Sequence, residues 1–180
     1  MNPEETSSRP LPSFDEDKAQ EGLFALVDEV KTAILGTIDL KDSPEASYAP
    51  CIHDEAGSFY VYVSALAKHS ANLRRTRKAS LMLIEDEGTA ANLHARRRAT
   101  WNCSVEAVAR DSEAFNARLA SFREHFGKTM ESLATMQDFT LFQLKPASGR
   151  LVLGFGAAFR LEGWQVLKPM QGRHRPARSS

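Results

Sequence analysis

Apolar and polar positions change rhythm several times along this chain, and each change marks a new element. Leu23, Leu26, Val27 and Val30 recur at helical spacing, and Asp15, Glu16 and Asp17 suit the positive N-terminal end of the helix they predict. From Thr32 the period shortens. Residues 33–38 read as a strand, Lys41-Asp42-Ser43-Pro44 as a turn, 46–52 as a second strand, and Asp54-Glu55-Ala56-Gly57 as a turn into a third, 58–63. Connections this short require antiparallel neighbours, because parallel strands need crossovers of roughly a dozen residues or more.

Residues 64–78 form a polar connector, helical in part, with Leu66 and Leu73 as its inward anchors. The run 80–84 is continuously apolar and predicts a strand buried on both faces, ended by Glu85-Asp86-Glu87-Gly88. Residues 98–108 alternate. Trp101, Cys103 and Val105 point one way, and Arg98, Thr100, Asn102 and Ser104 the other. An amphipathic helix over 111–126 buries Phe115, Leu119 and Phe122, with Asp111 or Ser112 as N-cap and Gly127 as C-cap. A short helix over 130–136 precedes strands at 139–144, 150–153 and 157–161, with Gly154 and Gly156 allowing a bend. Seven or eight strands with mostly short hairpins predict an α+β protein built on a closed or half-closed barrel. Closure accounts for how few strand edges carry protective charge.

Length and composition add bounds. At 180 residues the chain makes one domain with tails, and 42% apolar content is enough for a sizeable core. Residues 1–14, with three prolines and four Ser/Thr, read as a disordered leader; 15–162 form the domain. Residues 163–180 read as a basic tail, with Lys168, Arg173, Arg175 and Arg178 and no acidic residue after Glu162. Lys+Arg 23 against Asp+Glu 23 gives zero formal net charge, which argues against a nucleic-acid partner but says nothing about a local basic pocket. The acidic start has no apolar stretch behind it, and no run approaches the ~20 apolar residues of a membrane helix. Cys51 and Cys103 lack metal-ligand spacing and read as reduced, buried thiols of a cytoplasmic protein.

The familiar catalytic motifs are missing. There is no Walker loop, HExxH, GxSxG or CxxC, and Gly154-Phe155-Gly156 lacks the third glycine of a dinucleotide fingerprint. What remains is basic. Lys68, His69, Arg74, Arg75, Arg77 and Lys78 fill the connector, and most of them read as a solvated helix face. Lys68 and His69 differ, because they follow the third strand where a barrel opens, and can hold a phosphate or carboxylate there by charge-assisted hydrogen bonds. Arg96-Arg97-Arg98 is a second cluster. Alternation puts Arg96 and Arg98 on one face, either lining a pocket or decorating a surface hairpin. His53, His94 and His125 look ordinary. His174, between Gly172 and Pro176, either sits in an unstructured terminus or folds over a cofactor and ligates it.

A family resemblance sharpens these choices. Ser47-Tyr48-Ala49-Pro50, the stretch from Val63 through Lys68-His69-Ser70 to Leu73, the run from Lys78 to Glu87, Ala95-Arg96-Arg97-Arg98, Asp138-Phe139 and Gly149-Arg150-Leu151-Val152-Leu153-Gly154-Phe155-Gly156 occur in order between residues 33 and 161. This series resembles the bacterial haem-utilisation proteins of the HugZ/HutZ type, within the pyridoxamine 5′-phosphate oxidase-like, FMN-binding split-barrel superfamily. The resemblance implies a split β-barrel of six to eight mostly antiparallel strands with flanking helices. It also implies a homodimer with two cofactor sites at the subunit interface. It implies haem as cofactor and substrate, opened oxidatively with an external electron donor to release iron.

Residue by residue, the resemblance implies that His174 is the axial ligand of the haem iron and that Arg98 is the catalytic cation near the open face of the haem. His69 and Asp138 would support the interface and the proximal histidine, while Lys68, Ser64 and Arg96 complete the cofactor-binding set. A neutral imidazole suits ferric iron, and a carboxylate on its other nitrogen fixes the tautomer. Arginines pair with propionates, and Arg98 would oppose developing negative charge. The tail departs from the family's glycine-rich loop, reading Gln171-Gly172-Arg173-His174-Arg175. Two alternatives stay open: an FMN-dependent oxidoreductase whose flavin phosphate is held by Ser64, Lys68 and Arg74, and a non-catalytic protein that stores or delivers haem.

Overall fold

The computed structural model describes residues 15–170; the leader and the end of the tail, with His174, lie outside the described residues. Asp15 opens α1 (Glu16–Glu29) by accepting the Lys18 N–H at 3.1 Å, and the helix buries Ala19, Leu23, Leu26 and Val27. The sheet begins with β1 (Thr32–Ile38), β2 (Pro44–His53) and β3 (Phe59–Ser64). Then come α2 (Lys68–Thr76), β4 (Lys78–Ile84), a single 3₁₀ turn at Leu93–Ala95, and β5 (Arg98–Ala107). The helices α3 (Glu113–Phe126) and α4 (Lys128–Thr135) lead into β6 (Phe139–Gly154), β7 (Ala157–Glu162) and β8 (Gln165–Pro169).

The strand order is β3-β2-β1-β4-β5-β6-β7-β8, and β3 also pairs with β6 from Phe59↔Leu144 to Ser64↔Phe139. That last pairing closes six antiparallel strands into a barrel, with β7 and β8 extending the sheet beyond β6. Closure leaves the six barrel strands without free edges over their paired length. Inside it, Trp101, Phe59, Leu35, Leu81, Leu83 and Leu144 are almost fully buried. A second cluster, Tyr62, Phe115, Phe122 and Leu141, seats α3 on the barrel wall. Each such buried large side chain contributes about 1.5–3 kcal/mol of transfer free energy. Cys51 and Cys103 are free and buried, and burial pushes both thiols up to about 12, so they stay neutral and inert.

Several expectations are corrected. The strands predicted at 139–144 and 150–153 are one 16-residue strand, β6. Between the two predicted ranges, Pro146–Gly149 carries a register shift against Trp101 and Cys103, a bulge that bends β6 without ending it. Strand β4 is not buried on both faces: Ala79, Leu81 and Leu83 are buried, while Ser80, Met82 and Ile84 are half-exposed. Leu66 is 92% exposed, because it sits in the turn between β3 and α2; Leu73, one element later, is the inward anchor. The chain does not leave the fold at Gly163. Val166 is fully buried in β8, and Gln20 of α1 clamps the hairpin, donating to the Trp164 carbonyl at 2.9 Å and accepting the Val166 N–H at 3.0 Å.

Candidate functional site

The three consecutive arginines have different environments. The Arg97 guanidinium Nε donates to Glu85 Oε2 at 2.6 Å, its backbone N–H donates to Glu85 Oε1 at 2.8 Å, and a terminal nitrogen reaches Glu29 of α1 at 2.8 Å. Burial alone would push the Glu85 carboxyl up, but those Arg97 hydrogen bonds and the charges of Arg97 and Arg96 outweigh it, so its pKa lies below the ordinary value. Arg96, expected beside Arg98 as a cofactor ligand, bonds instead to the Glu85 carbonyl, with Nε at 3.1 Å, and pairs with Glu87 at 3.6 Å. Alternation fails for Arg96 because it precedes β5 and belongs to the loop. The guanidinium of Arg98, the first residue of the strand, makes one hydrogen bond among the described residues, to the Arg96 carbonyl at 2.9 Å.

From Arg98 an open groove of about 1360 Å³ runs over β5, β6 and β7. Register builds it. Arg98, Val152 and Ala158 face each other in one cross-strand row, and Thr100, Arg150 and Arg160 in the next. These positions alternate with the core residues Ala99, Trp101, Leu151, Phe159 and Leu161, so their side chains leave the barrel wall outward. Gly149 keeps the strands close beneath them, since a β-carbon there would collide with the Thr100 carbonyl and Trp101. The second row continues the other way through Met82, Ile34 and Tyr48. Ile34 is 38% exposed and Tyr48 70%, so the arginine groove borders an apolar outer face. Arg150 and Arg160 were not singled out by sequence. Each is a lone arginine on its strand, which basic-cluster reasoning passes over, although Arg150 lies within the motif series that carries the resemblance.

The remaining predicted residues gather elsewhere. Ser64 is paired with Phe139 at the start of β6, whereas Arg98 is paired with Val152 near its end. Ser64 Oγ donates to Asp138 Oδ2 at 2.6 Å, and the Ala65 N–H donates to the Asp138 carbonyl at 2.8 Å. Lys68 pairs with Glu45 at 3.7 Å, and Arg74 donates to Thr140 Oγ1 at 2.8 Å. His69 is buried on the first turn of α2, its Nε2 without a partner among the described residues; burial lowers its pKa, which Glu45 partly opposes. The chain therefore presents two separate groups, an arginine groove and a Ser64–Asp138 corner, with His69 buried on α2. Among the described residues no cluster of His, Cys, Asp or Glu has a metal-binding arrangement, and no helix is long and apolar enough to cross a membrane.

Residues 19–153 match the pyridoxamine 5′-phosphate oxidase family. Over 135 residues the chain is 40% identical to the heme oxygenase HutZ of Vibrio cholerae, spanning 75% of this chain and 76% of that protein. The chain belongs to the HutZ-type branch of this family. The solved structure of Vibrio cholerae HutZ, described as a heme storage protein, aligns with a TM-score of 0.67 at 37% identity, over 70% of this chain and 88% of that one. Campylobacter jejuni ChuZ aligns with a TM-score of 0.79 at 24% identity over 91% of this chain and 70% of that one, a likeness of fold. HutZ-type membership fits the barrel above, in which β3 and β6 close the wall and the groove lies on its outer side.

Proposed function

We propose that this protein binds haem in the arginine groove and opens it oxidatively to release iron, drawing electrons from an external donor. The observation that carries the reading is the groove itself. It holds three arginines, none of which has a carboxylate partner among the described residues, beside the apolar side chains of Val152, Ala158 and Met170. Unpaired cations next to an apolar surface suit a flat, hydrophobic dianion. The volume exceeds the roughly 300–1,000 Å³ of ordinary small-molecule sites, which accommodates a ligand of that size. The 40% identity to a heme oxygenase supports the same reading.

Bound haem would supply the redox-active iron and is the ring consumed. The chain's own groups would orient it. Arg98, tethered at one end by the Arg96 carbonyl, keeps its remaining N–H groups free to oppose developing negative charge over the ring. Asp138, held by Ser64, would fix the tautomer of His174, the residue proposed to hold the haem iron. The groove and the Ser64–Asp138 corner are apart within one subunit, which supports sites completed between two subunits. A homodimer covering Tyr48, Ile34 and Met82 would bury the exposed apolar face and bring a second corner towards each groove.

Titration of the purified protein with hemin is expected to give a sharpened Soret band at one haem per subunit, altered by His174→Ala. Ascorbate under air should then bleach the band with release of iron. A complex that stays intact with reductant would leave storage or delivery, as the HutZ structure's description suggests for that relative. No Soret change at all would refute haem binding. In the flavin alternative the phosphate would compete with internal partners, since Ser64, Lys68 and Arg74 meet Asp138, Glu45 and Thr140.

A further inference from the structure

We propose that Arg150 and Arg160 form a two-point clamp for the paired carboxylates of the tetrapyrrole and so fix which edge of the ring enters the groove. The inference rests on the haem reading above and gives two of its three groove arginines a task of their own. Arg150 and Arg160 stand directly opposite one another in the β6–β7 register. Their β-carbons are then about 4.5–5.5 Å apart on one face, and like charges so placed repel. Neither guanidinium makes a hydrogen bond or ion pair among the described residues, and both residues are exposed. Their neighbour in the row, Thr100, is neutral. Glu162 is the one acidic residue lining the groove; it faces Ser148 and forms no ion pair with either arginine. A repelling pair without an ion-pair partner is the arrangement a dianion would relieve, and each guanidinium fork matches one carboxylate.

Direction follows from the adjacent row. Two residues along each strand from the arginines, Val152 and Ala158 face each other, and Arg98 stands opposite Val152. A tetrapyrrole held by its two carboxylates at Arg150 and Arg160 would lay its apolar body over Val152 and Ala158, with its far part beside Arg98. The clamp is thus a positioning device, and it sets which part of the ring Arg98 meets.

Hemin and hemin dimethyl ester, which has the same ring without the carboxylates, separate the clamp from general affinity. The double variant Arg150→Ala/Arg160→Ala should bind hemin about 100-fold more weakly by Soret titration, about tenfold per lost charged contact. Its affinity for the dimethyl ester should stay within about twofold of the wild type. Arg150→Lys/Arg160→Lys keeps the charge without the fork and should recover part of the hemin affinity, with melting curves confirming that all variants fold. Hemin affinity unchanged within about threefold in the alanine double variant would overturn the clamp, as would an equal loss for hemin and the ester. Failure of the wild type to bind hemin would instead overturn the haem reading itself.

Discussion

Arg97 and Arg98 are adjacent in the chain and opposite in circumstance. Arg97 closes a network at the end of β4, bonded to both oxygens of Glu85 and to Glu29, so it ties the β4–β5 connection to α1. Arg98, one residue on, faces an open groove with Arg150 and Arg160 and has no carboxylate partner among the described residues. The first region has its charges matched within the fold, and the second has charge left over. Matched charge stabilises the folded chain; unmatched charge is available to a ligand. Basic residues near a site are therefore best sorted by what already neutralises them, not by their number.

The largest effect that would test this division is on folding. Glu85→Ala should remove the acceptor of a partly buried guanidinium and of a backbone N–H, and with it the Arg97 ion pair, at about 2–3 kcal/mol. For a domain of this size that lowers the melting temperature by roughly 4–12 °C. Arg150→Ala and Arg160→Ala should each stay within about 0.5 kcal/mol of wild type. Urea midpoints at unchanged m-value measure both. Equal destabilisation in the two regions would break the comparison.

Acid sharpens it at intermediate size. The Glu85 carboxyl has a folded-state pKa below its unfolded value, so its stabilisation is fully present above the ordinary glutamate range, near pH ~4.3, and is lost as pH falls through the folded value. The difference in urea midpoint between wild type and Glu85→Gln should stay constant from about pH 7 to pH 5 and close below about pH 4. A gap independent of pH down to about pH 3 would mean that packing, not charge, holds this region.

Much of the barrel was legible in the sequence because its connections are short and its strands alternate. Trp101, Cys103 and Val105 pointed inward as their spacing required. The failures have local causes. The pattern predicts two strands on either side of residues 145–149, but the neighbouring strand supplies enough pairing on both sides to carry β6 through a bulge. Strand β8 was hidden by the basic composition of the tail, although Val166 and Leu167 lay within it; the partner that orders it, Gln20, is far away in sequence. The site was half legible. An arginine cluster announced itself, but which member was neutralised depended on Glu85, which lies across the β4–β5 connection. The Arg150–Arg160 pair depended on strand register, which spacing alone does not fix.

The smallest expected effect is the most specific to the groove. If Arg150 and Arg160 repel in the ligand-free protein, then removing one of them should leave stability unchanged or raise it by a few tenths of a kcal/mol. The gain should be electrostatic and therefore screened. At low ionic strength, near 0.01 M, the Debye length is about 30 Å and the repulsion is nearly full; at 1 M it is about 3 Å, shorter than the separation across the strands. Urea midpoints for Arg160→Ala and wild type should differ slightly at low salt and coincide at about 1 M. Glu85→Ala should keep most of its deficit at both, because its contacts are short and partly buried. A persistent difference at high salt for Arg160→Ala would mean that this side chain packs against the groove wall and that its charge does not set its contribution to stability.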